Sequence, residues 1–372
     1  MMAGIDDNGA GRHIAGHSTG NAGHTVHTEP AGIAVANVER WFAEHVPHAV
    51  APFRYALLAG GHSNLTYRVT GADGQHFVLR RPPLSSVLAT AHDMGREWRV
   101  IHALQGSSVP VPPAHAFCSD PAVIGAPFYV MGLVDGYVQH TIDDTLANST
   151  PAQRTLAGNS LFDVLADLHA IDVDAVGLGD HGPRTGYLER QIKRWYKQFT
   201  ASKTVEVPDV DTSYARLLDH LPTHSEVTIA HGDYRFGNCI TSFDGPIVAV
   251  LDWEISTLGD PLADLAYCLN TWVRPGNHLD TSPEAALAPT MADGYGSAED
   301  MLQRYATRSG RDVSHIEYYV AFNHWKSACI AQGVLARYLS GALGDTASLD
   351  LTPYPRSITT RSAMARELLE RF

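Results

Sequence analysis

Positive charge is what this 372-residue chain lacks: 27 Lys and Arg stand against 40 Asp and Glu, a formal net charge of −13. No basic footprint for nucleic acid exists at the level of the whole chain, and an anionic ligand would need a local cationic pocket. Cysteine is scarce too. Cys118, Cys239, Cys268 and Cys329 are scattered, with no CxxC pair or disulfide spacing, which fits a reduced, cytoplasmic setting. No apolar run has the length of a membrane span, and the N-terminus lacks a signal-like apolar stretch, so no membrane partner is expected. The composition is ordinary for a soluble globular protein, with 44% hydrophobic and 18% charged residues. The length suits two lobes better than one minimal core.

Residues 1–30 are rich in Gly, His and Asn and read as a disordered tail. His13, His17, His24 and His27 could hold a metal, but no Cys or carboxylate cluster accompanies them. A short helix from Ala34 leads into FRYALL, LTYRVT and HFVLRR, each closed by Gly or Pro, which predicts three antiparallel strands. Residues Ser86 to Leu104 read as a helix with Met94, Trp98, Ile101 and Leu104 on one face. PFYVMGLVDG gives another strand. Beyond about Asp135 the pattern turns helical, broken by one hairpin between Val227 and Trp253. The expected class is α+β and bilobal: an antiparallel-sheet N-lobe over 31–134 that binds nucleotide, then a larger helical C-lobe over 135–372. That C-lobe would carry the hairpin and the acceptor site, with the ligand in the cleft between lobes.

The chemistry concentrates in TIAHGDYRFGNCI and PIVAVLDWEISTLGDPLADLAY. Phe243-Asp244-Gly245-Pro246 is a hairpin loop that sets Ser242 against Ile247, and counting back puts Asn238 opposite Leu251. Asn238 and Asp252 then lie about one residue apart at the open end of the ladder, and Asp233 enters the same end. Oxygen donors of this kind suit Mg²⁺, which takes one or two carboxylates plus substrate phosphates. An Asp left out of the metal shell can accept a proton from an attacking hydroxyl. Kinases divide the labour this way, with Asp, Asn and a metal-binding Asp in that chain order. A hairpin whose polar ends only cap turns is the bland alternative, but HxDxxxxN, then a strand, Asp and GDPxxD is a more specific pattern than a lone HxD.

From Val38 to Gly341 the chain resembles the aminoglycoside phosphotransferase family, related to choline kinases and more distantly to protein kinases. The resemblance implies a protein-kinase-like fold, Asp233 as catalytic base, and Asn238 and Asp252 as Mg²⁺ ligands, with ATP or GTP as co-substrate. It makes His231 a structural brace of the catalytic loop, has Asp264 hold that loop's backbone, and has Asp260 brace the same turn. Leu58 to Asn64, with Gly61, Ser63 and Asn64, lies where kinases place a phosphate-covering loop, and small residues there let N–H groups approach phosphate. Arg80 stands where a phosphate-binding Lys is expected, and Glu97 is its expected orienting partner. Arg keeps the charge and can fork onto two phosphate oxygens. Arg81 is the alternative phosphate ligand, although strand alternation points it to the other face. Tyr129 and Met131 lie in the strand expected to pair with the nucleobase edge.

Two features leave their readings open. Arg235 either stabilises charge on the transferring phosphoryl group or forms a local ion pair with Asp233. GYLERQIKRW, HWK and Arg337-Tyr338 resemble kinase domains associated with acyl-CoA dehydrogenases. Arg190, Lys193, Arg194, Lys326 and Arg337, beside Tyr187, Trp195 and Trp325, form either a solvated charged stripe or a local positive field for the acceptor. Cations with aromatics favour an anionic, partly apolar hydroxyl acceptor such as a hydroxyacyl-CoA over an aminoglycoside. A pseudokinase scaffold and a metal hydrolase built on His231 and Asp233 are the rival functions.

Overall fold

The computed structural model describes residues 29–59, 64–84, 93–223, 226–275, 283–341 and 350–372. The tail, its histidines, Gly61 and Ser63 of the glycine loop, and the first part of the helix expected from Ser86 lie outside the described residues. Two compact units are present. The first holds residues up to Gly95 and His115–Gly132, the second Arg96–Ala114 and Leu133–Phe372. The segment 96–114 thus groups with the second unit, whereas the sequence reading runs the N-lobe unbroken to residue 134.

The first unit is built on β1 (Arg54–Ala59), β2 (Leu65–Thr70), β3 (His76–Arg81), β4 (Ala114–Cys118) and β5 (Phe128–Gly132), in the order β1-β2-β3-β5-β4. β4 has no counterpart in the sequence reading. Alternation sorts the side chains of these strands into two faces. Tyr67, Val69, Phe77 and Leu79 are buried in one cluster with Val38, Trp41 and Phe42 from the helix Val35–His45. Phe42 meets Phe77 edge-on at 5.9 Å, and Trp41 meets Phe128 at 4.8 Å. The same alternation separates the two arginines at the end of β3. Arg81 is 5% exposed and donates to the carbonyls of Gly32, Ile124 (3.4 Å) and Pro82 (3.1 Å). Arg80 is half-buried on the opposite face, its Nη1 3.5 Å from Thr66 Oγ1.

An expected result follows for this pair. Arg80→Ala raises the Michaelis constant for nucleotide several-fold with little change in melting temperature. Arg81→Ala strips three backbone carbonyls of their donor inside the unit and lowers the melting temperature instead. Steady-state kinetics beside thermal unfolding reads both, and the reverse ranking would move the phosphate contact to Arg81.

Strands in the second unit are short: β6 (Tyr137–Val138), β7 (Thr228–Ala230), β8 (Cys239–Thr241), β9 (Ile247–Val250) and β10 (Thr257–Gly259). They form a β6-β8-β9 sheet and an antiparallel β7-β10 pair. Helices make up the rest. Pro151–His169 starts with Thr150 and Gln153 in a reciprocal capping box and Pro151 at its first turn, a combination that satisfies the free N–H groups of a helix start. Ile316–Leu339 is buried around most of its girth, so it forms the axis on which Tyr187–Ala201 and Pro353–Leu369 pack. Among the described residues no helix is long and apolar enough to cross a membrane.

The β8–β9 hairpin keeps the expected register at its functional end, where Cys239 pairs with Val250 and the Leu251 N–H donates to the Asn238 carbonyl at 2.8 Å. At the loop end a correction is needed. Thr241, not Ser242, faces Ile247, with an irregularity after Ile240. Ser242 N–H instead closes the turn on the Pro246 carbonyl at 2.8 Å. A single extra residue is absorbed as a bulge, leaving the far end unshifted.

Candidate active site

His231, with no exposed surface, organises the loop that leads to β8. Its Nε2 lies 2.8 Å from the Leu251 carbonyl, which can only accept, so Nε2 carries the proton. Nδ1 is then free to accept from the Asp233 backbone N–H at 3.3 Å. One ring thereby ties the entry of the loop to the end of β9.

Asp264, one turn into the helix Pro261–Asn270, holds the same loop from behind. Its two oxygens accept from the backbone N–H groups of His231 at 2.5 Å and Gly232 at 2.8 Å. Burial pushes this carboxyl up, but the neighbouring His169 and His231 rings and the Gly232 N–H outweigh it and hold Asp264 below the usual carboxylate range. Gly232 has φ +86°, a left-handed backbone that glycine adopts without penalty. Asp260 caps the helix, accepting from Leu262 N–H at 3.0 Å and from Tyr319 OH at 2.9 Å.

Held in this way, Asp233 collects three donors. Oδ1 accepts from Tyr267 OH at 2.5 Å and from Arg235 Nε at 3.3 Å. Oδ2 accepts from Asn238 Nδ2 at 2.9 Å, and the same amide nitrogen also donates to the Asp233 carbonyl at 2.8 Å. A carboxylate offers about four lone-pair sites, so Oδ2 retains capacity for a further donor. Tyr267 was missed in the sequence, although a signal was there: it follows Asp264 by three residues, which places both on one face of one helix. Arg235 forms the local ion pair that was one of its two readings. Burial works against its charge, but the adjacent Asp233 carboxylate raises its pKa overall. Gly237 makes room for it: a Cβ there would fall 2.2 Å from Arg235 Nη1.

Asp252 follows β9 in a left-handed conformation, φ +65°, which turns it out of the strand direction. Its carboxylate, that of Glu254 and that of Glu97 offer oxygens that all lie within 4.8 Å of one another. Glu97 is 1% exposed. Its helix, Met94–Ala103, is fastened here by Arg96, whose Nη2 donates to the carbonyls of His181 at 2.6 Å and Ser256 at 2.7 Å. Burial and the nearby Arg96 push the His181 ring down to about 4, so it stays neutral and meets Ser256 Oγ at 3.0 Å. Glu97 therefore converges on Asp252, a neighbourhood the sequence reading did not assign to it. Glu254, two residues past Asp252, was also missed.

These donors fit a hard divalent cation. Both amide hydrogens of Asn238 are directed at Asp233, so its Oδ1 is the atom left to offer. The gathered carboxylates of Asp252, Glu254 and Glu97 are oxygens of the type Mg²⁺ takes.

Of the cations foreseen for the acceptor side, Lys326 stands within electrostatic reach of Asp233, while others are tied elsewhere. Lys193 pairs with Glu189 at 2.5 Å on the surface, and Arg190 donates to the Pro183 carbonyl at 3.0 Å. Lys326 is 7% exposed, with Nζ 3.5 Å from the Gly232 carbonyl and 5.4 Å from the centre of the Tyr267 ring. Arg194 lies over Trp195 and within electrostatic reach of Lys326. Arg361, from a helix that the sequence reading left out, is within reach of Tyr267.

In the first unit, Asn64 is 1% exposed. Tyr129 and Met131 pair with Arg80 and Val78. Because β5 lies between β3 and β4, its main-chain groups serve the sheet on both sides, which leaves little of Tyr129 or Met131 backbone for a nucleobase.

A small antiparallel sheet in one unit, and helices with short strands in the other, make an α+β, protein-kinase-like fold. Residues 54–307 match the family model "APH: Phosphotransferase enzyme family", and the chain belongs to that family. A protein of Ralstonia eutropha, provisionally assigned as an aminoglycoside phosphotransferase, is 32% identical with a TM-score of 0.76, covering 90% of this chain and 98% of its own. Mouse acyl-CoA dehydrogenase family member 10 is 33% identical over 296 residues, 79% of this chain but 27% of its own length. Human acyl-CoA dehydrogenase family member 11 is 33% identical over 299 residues, 78% of this chain and 37% of its own. The chain therefore spans about a quarter to two-fifths of those relatives.

Proposed function

We propose that the chain transfers the γ-phosphoryl group of ATP or GTP to the hydroxyl of a small, anionic, partly apolar acceptor, with a hydroxyacyl-CoA as the favoured class. The observation that supports this chemistry is Asp233 held by Asn238, Tyr267 and Arg235, with Asp252 in electrostatic reach of the same Arg235 and a spare acceptor position on Asp233 Oδ2. In this reading the acceptor hydroxyl gives its proton to Oδ2 as its oxygen bonds to the γ-phosphorus. The bond from phosphorus to the β–γ bridging oxygen breaks, and the nucleoside diphosphate leaves. Tyr267 and Arg235 hold Asp233 in its rotamer, and Arg235 supplies positive charge near the phosphoryl oxygens. Asn238 and Asp252, with Glu254 and Glu97 beside them, would hold Mg²⁺, which when bound neutralises the phosphates. In the first unit, Arg80 is the proposed phosphate ligand, and Gly61, Ser63, Asn64, Tyr129 and Met131 are the other nucleotide-binding candidates that the family resemblance implies.

The acceptor class rests on charge. Arg235 pairs with Asp233, Lys326 lies within electrostatic reach of it, Arg361 is within reach of Tyr267 and Arg194 of Lys326, which supplies local cations in a chain that is acidic as a whole. Polycationic sugars would meet repulsion there. The resemblance to acyl-CoA-dehydrogenase-associated domains points the same way. Nucleotide consumption measured side by side with 4-hydroxyacyl-CoA substrates and kanamycin-like aminoglycosides is the test. Turnover on the thioester and none on the aminoglycoside is expected, and the opposite pattern would overturn the acceptor while leaving the phosphotransfer intact.

A further inference from the structure

Lys326, only 7% exposed, is an unusual residue to find inside a helical unit. Lysine is almost never fully buried unless paired, yet among the described residues no carboxylate forms an ion pair with it. Its contact with the Gly232 carbonyl, at 3.5 Å, sits at the outer limit of a hydrogen bond, so the ammonium is not spent on bracing the loop. The Tyr267 ring under Nζ contributes cation–π attraction but takes no hydrogen bond along the N–H directions. An ammonium has three donors, and two remain to be satisfied.

The position matters as much as the vacancy of partners. The Gly232 carbonyl belongs to the peptide unit that precedes Asp233, so Nζ stands one peptide unit and one contact from the proposed base. Tyr267 spans the same gap: its hydroxyl is on Asp233 Oδ1 and its ring is under Lys326. Ammonium and base thus share one aromatic floor.

We propose that Lys326 reads the acceptor, its ammonium holding an acyl oxygen (a carboxylate or a thioester carbonyl) set a few bonds from the hydroxyl that Asp233 deprotonates. This rests on the phosphotransfer reading and narrows it. The acceptor is a hydroxy acid or its thioester, with hydroxyl and acyl carbon close together along the chain; uncharged polyols lack the second anchor. Arg194 and Arg361 reinforce the positive field without being buried with it. Burial lowers the pKa of Lys326, as expected of an ammonium awaiting an anionic partner, and Asp264 and Asp233 oppose that shift.

Equilibrium binding by calorimetry on the full chain, with magnesium and a non-hydrolysable nucleotide, tests this. The probes are a 4-hydroxyacyl-CoA, the free 4-hydroxy acid and the matching uncharged diol. Lys326→Met is expected to weaken the acid and the thioester by about tenfold or more, the effect of losing one charge-assisted hydrogen bond, and to leave the diol unchanged. Lys326→Arg recovers part of the loss. Arg194→Gln, at an exposed position, shows a smaller loss in the same direction and keeps the test alive should the methionine variant not fold. Equal affinities in wild type and Lys326→Met, an equal loss for all three probes, or no binding of acid and thioester by the wild type would each overturn the proposal. Because the readout is binding, it is separable from phosphotransfer. Lys326-dependent binding without turnover would sink the phosphotransfer reading alone, and turnover without Lys326 selectivity would sink this one alone.

Discussion

Asp233→Asn is expected to lower turnover by about a hundredfold or more while leaving nucleotide affinity nearly unchanged, the signature of losing a positioned base and not a binding contact. The amide keeps the shape of the carboxylate and one acceptor oxygen for Tyr267 and Arg235. At the Oδ2 position, however, it presents N–H groups to Asn238 Nδ2, which is itself a donor, and it cannot take the proton of the incoming hydroxyl. The contrast is Asp252→Ala, which should weaken magnesium-dependent nucleotide binding. Full turnover by Asp233→Asn in a γ-labelled nucleotide assay would remove Asp233 from the mechanism.

The second large effect is expected at Asp264, which touches no substrate in this reading. Its two oxygens are the acceptors for two buried backbone N–H groups, those of His231 and Gly232. Asp264→Asn can satisfy one and must turn an N–H toward the other. Two donors facing each other in a water-free site, with a buried carboxylate's charge-assisted bonds lost, cost roughly 2–4 kcal/mol. Urea unfolding should show that loss, and turnover should fall even where the variant is still folded, because the loop carrying Asp233 is released. The exposed Asp244 in the hairpin turn is the control, and Asp244→Asn should change neither. A variant at Asp264 as stable as wild type would mean that the loop is held by other contacts.

Much of the candidate site was legible because it is local in sequence. Asp233 and Asn238 are five residues apart on one loop, and Asp252 is joined to Asn238 through a hairpin whose length can be counted. Period-two alternation likewise separated Arg80 from Arg81. The irregularity at Thr241 was not legible, since a bulge depends on how side chains pack against neighbouring elements, but it fell on the loop side and left the counted end in place. The place of Glu97 after β3 makes it the expected partner of Arg80. Its gathering with Asp252 and Glu254 depends on Arg96 fastening the helix to the His181 and Ser256 carbonyls, contacts that cross 85 and 160 residues.

The cations divide along the same line. Five were visible on helical segments, and nothing in a helical period says which neighbour each face meets. Lys193 is spent on Glu189 one turn away, while Lys326 points at Gly232, 94 residues earlier. Arg361 reaches Tyr267 from a helix without any motif. The sequence alone determined the class of chemistry, the loop and hairpin that carry it, and the faces of the N-terminal strands, because periodicity and short spacings act through the chain itself. Only the tertiary structure decided which charges stand around Asp233. Long-range packing places those side chains, and a charge becomes selective for a substrate only where burial removes the water that would otherwise screen it.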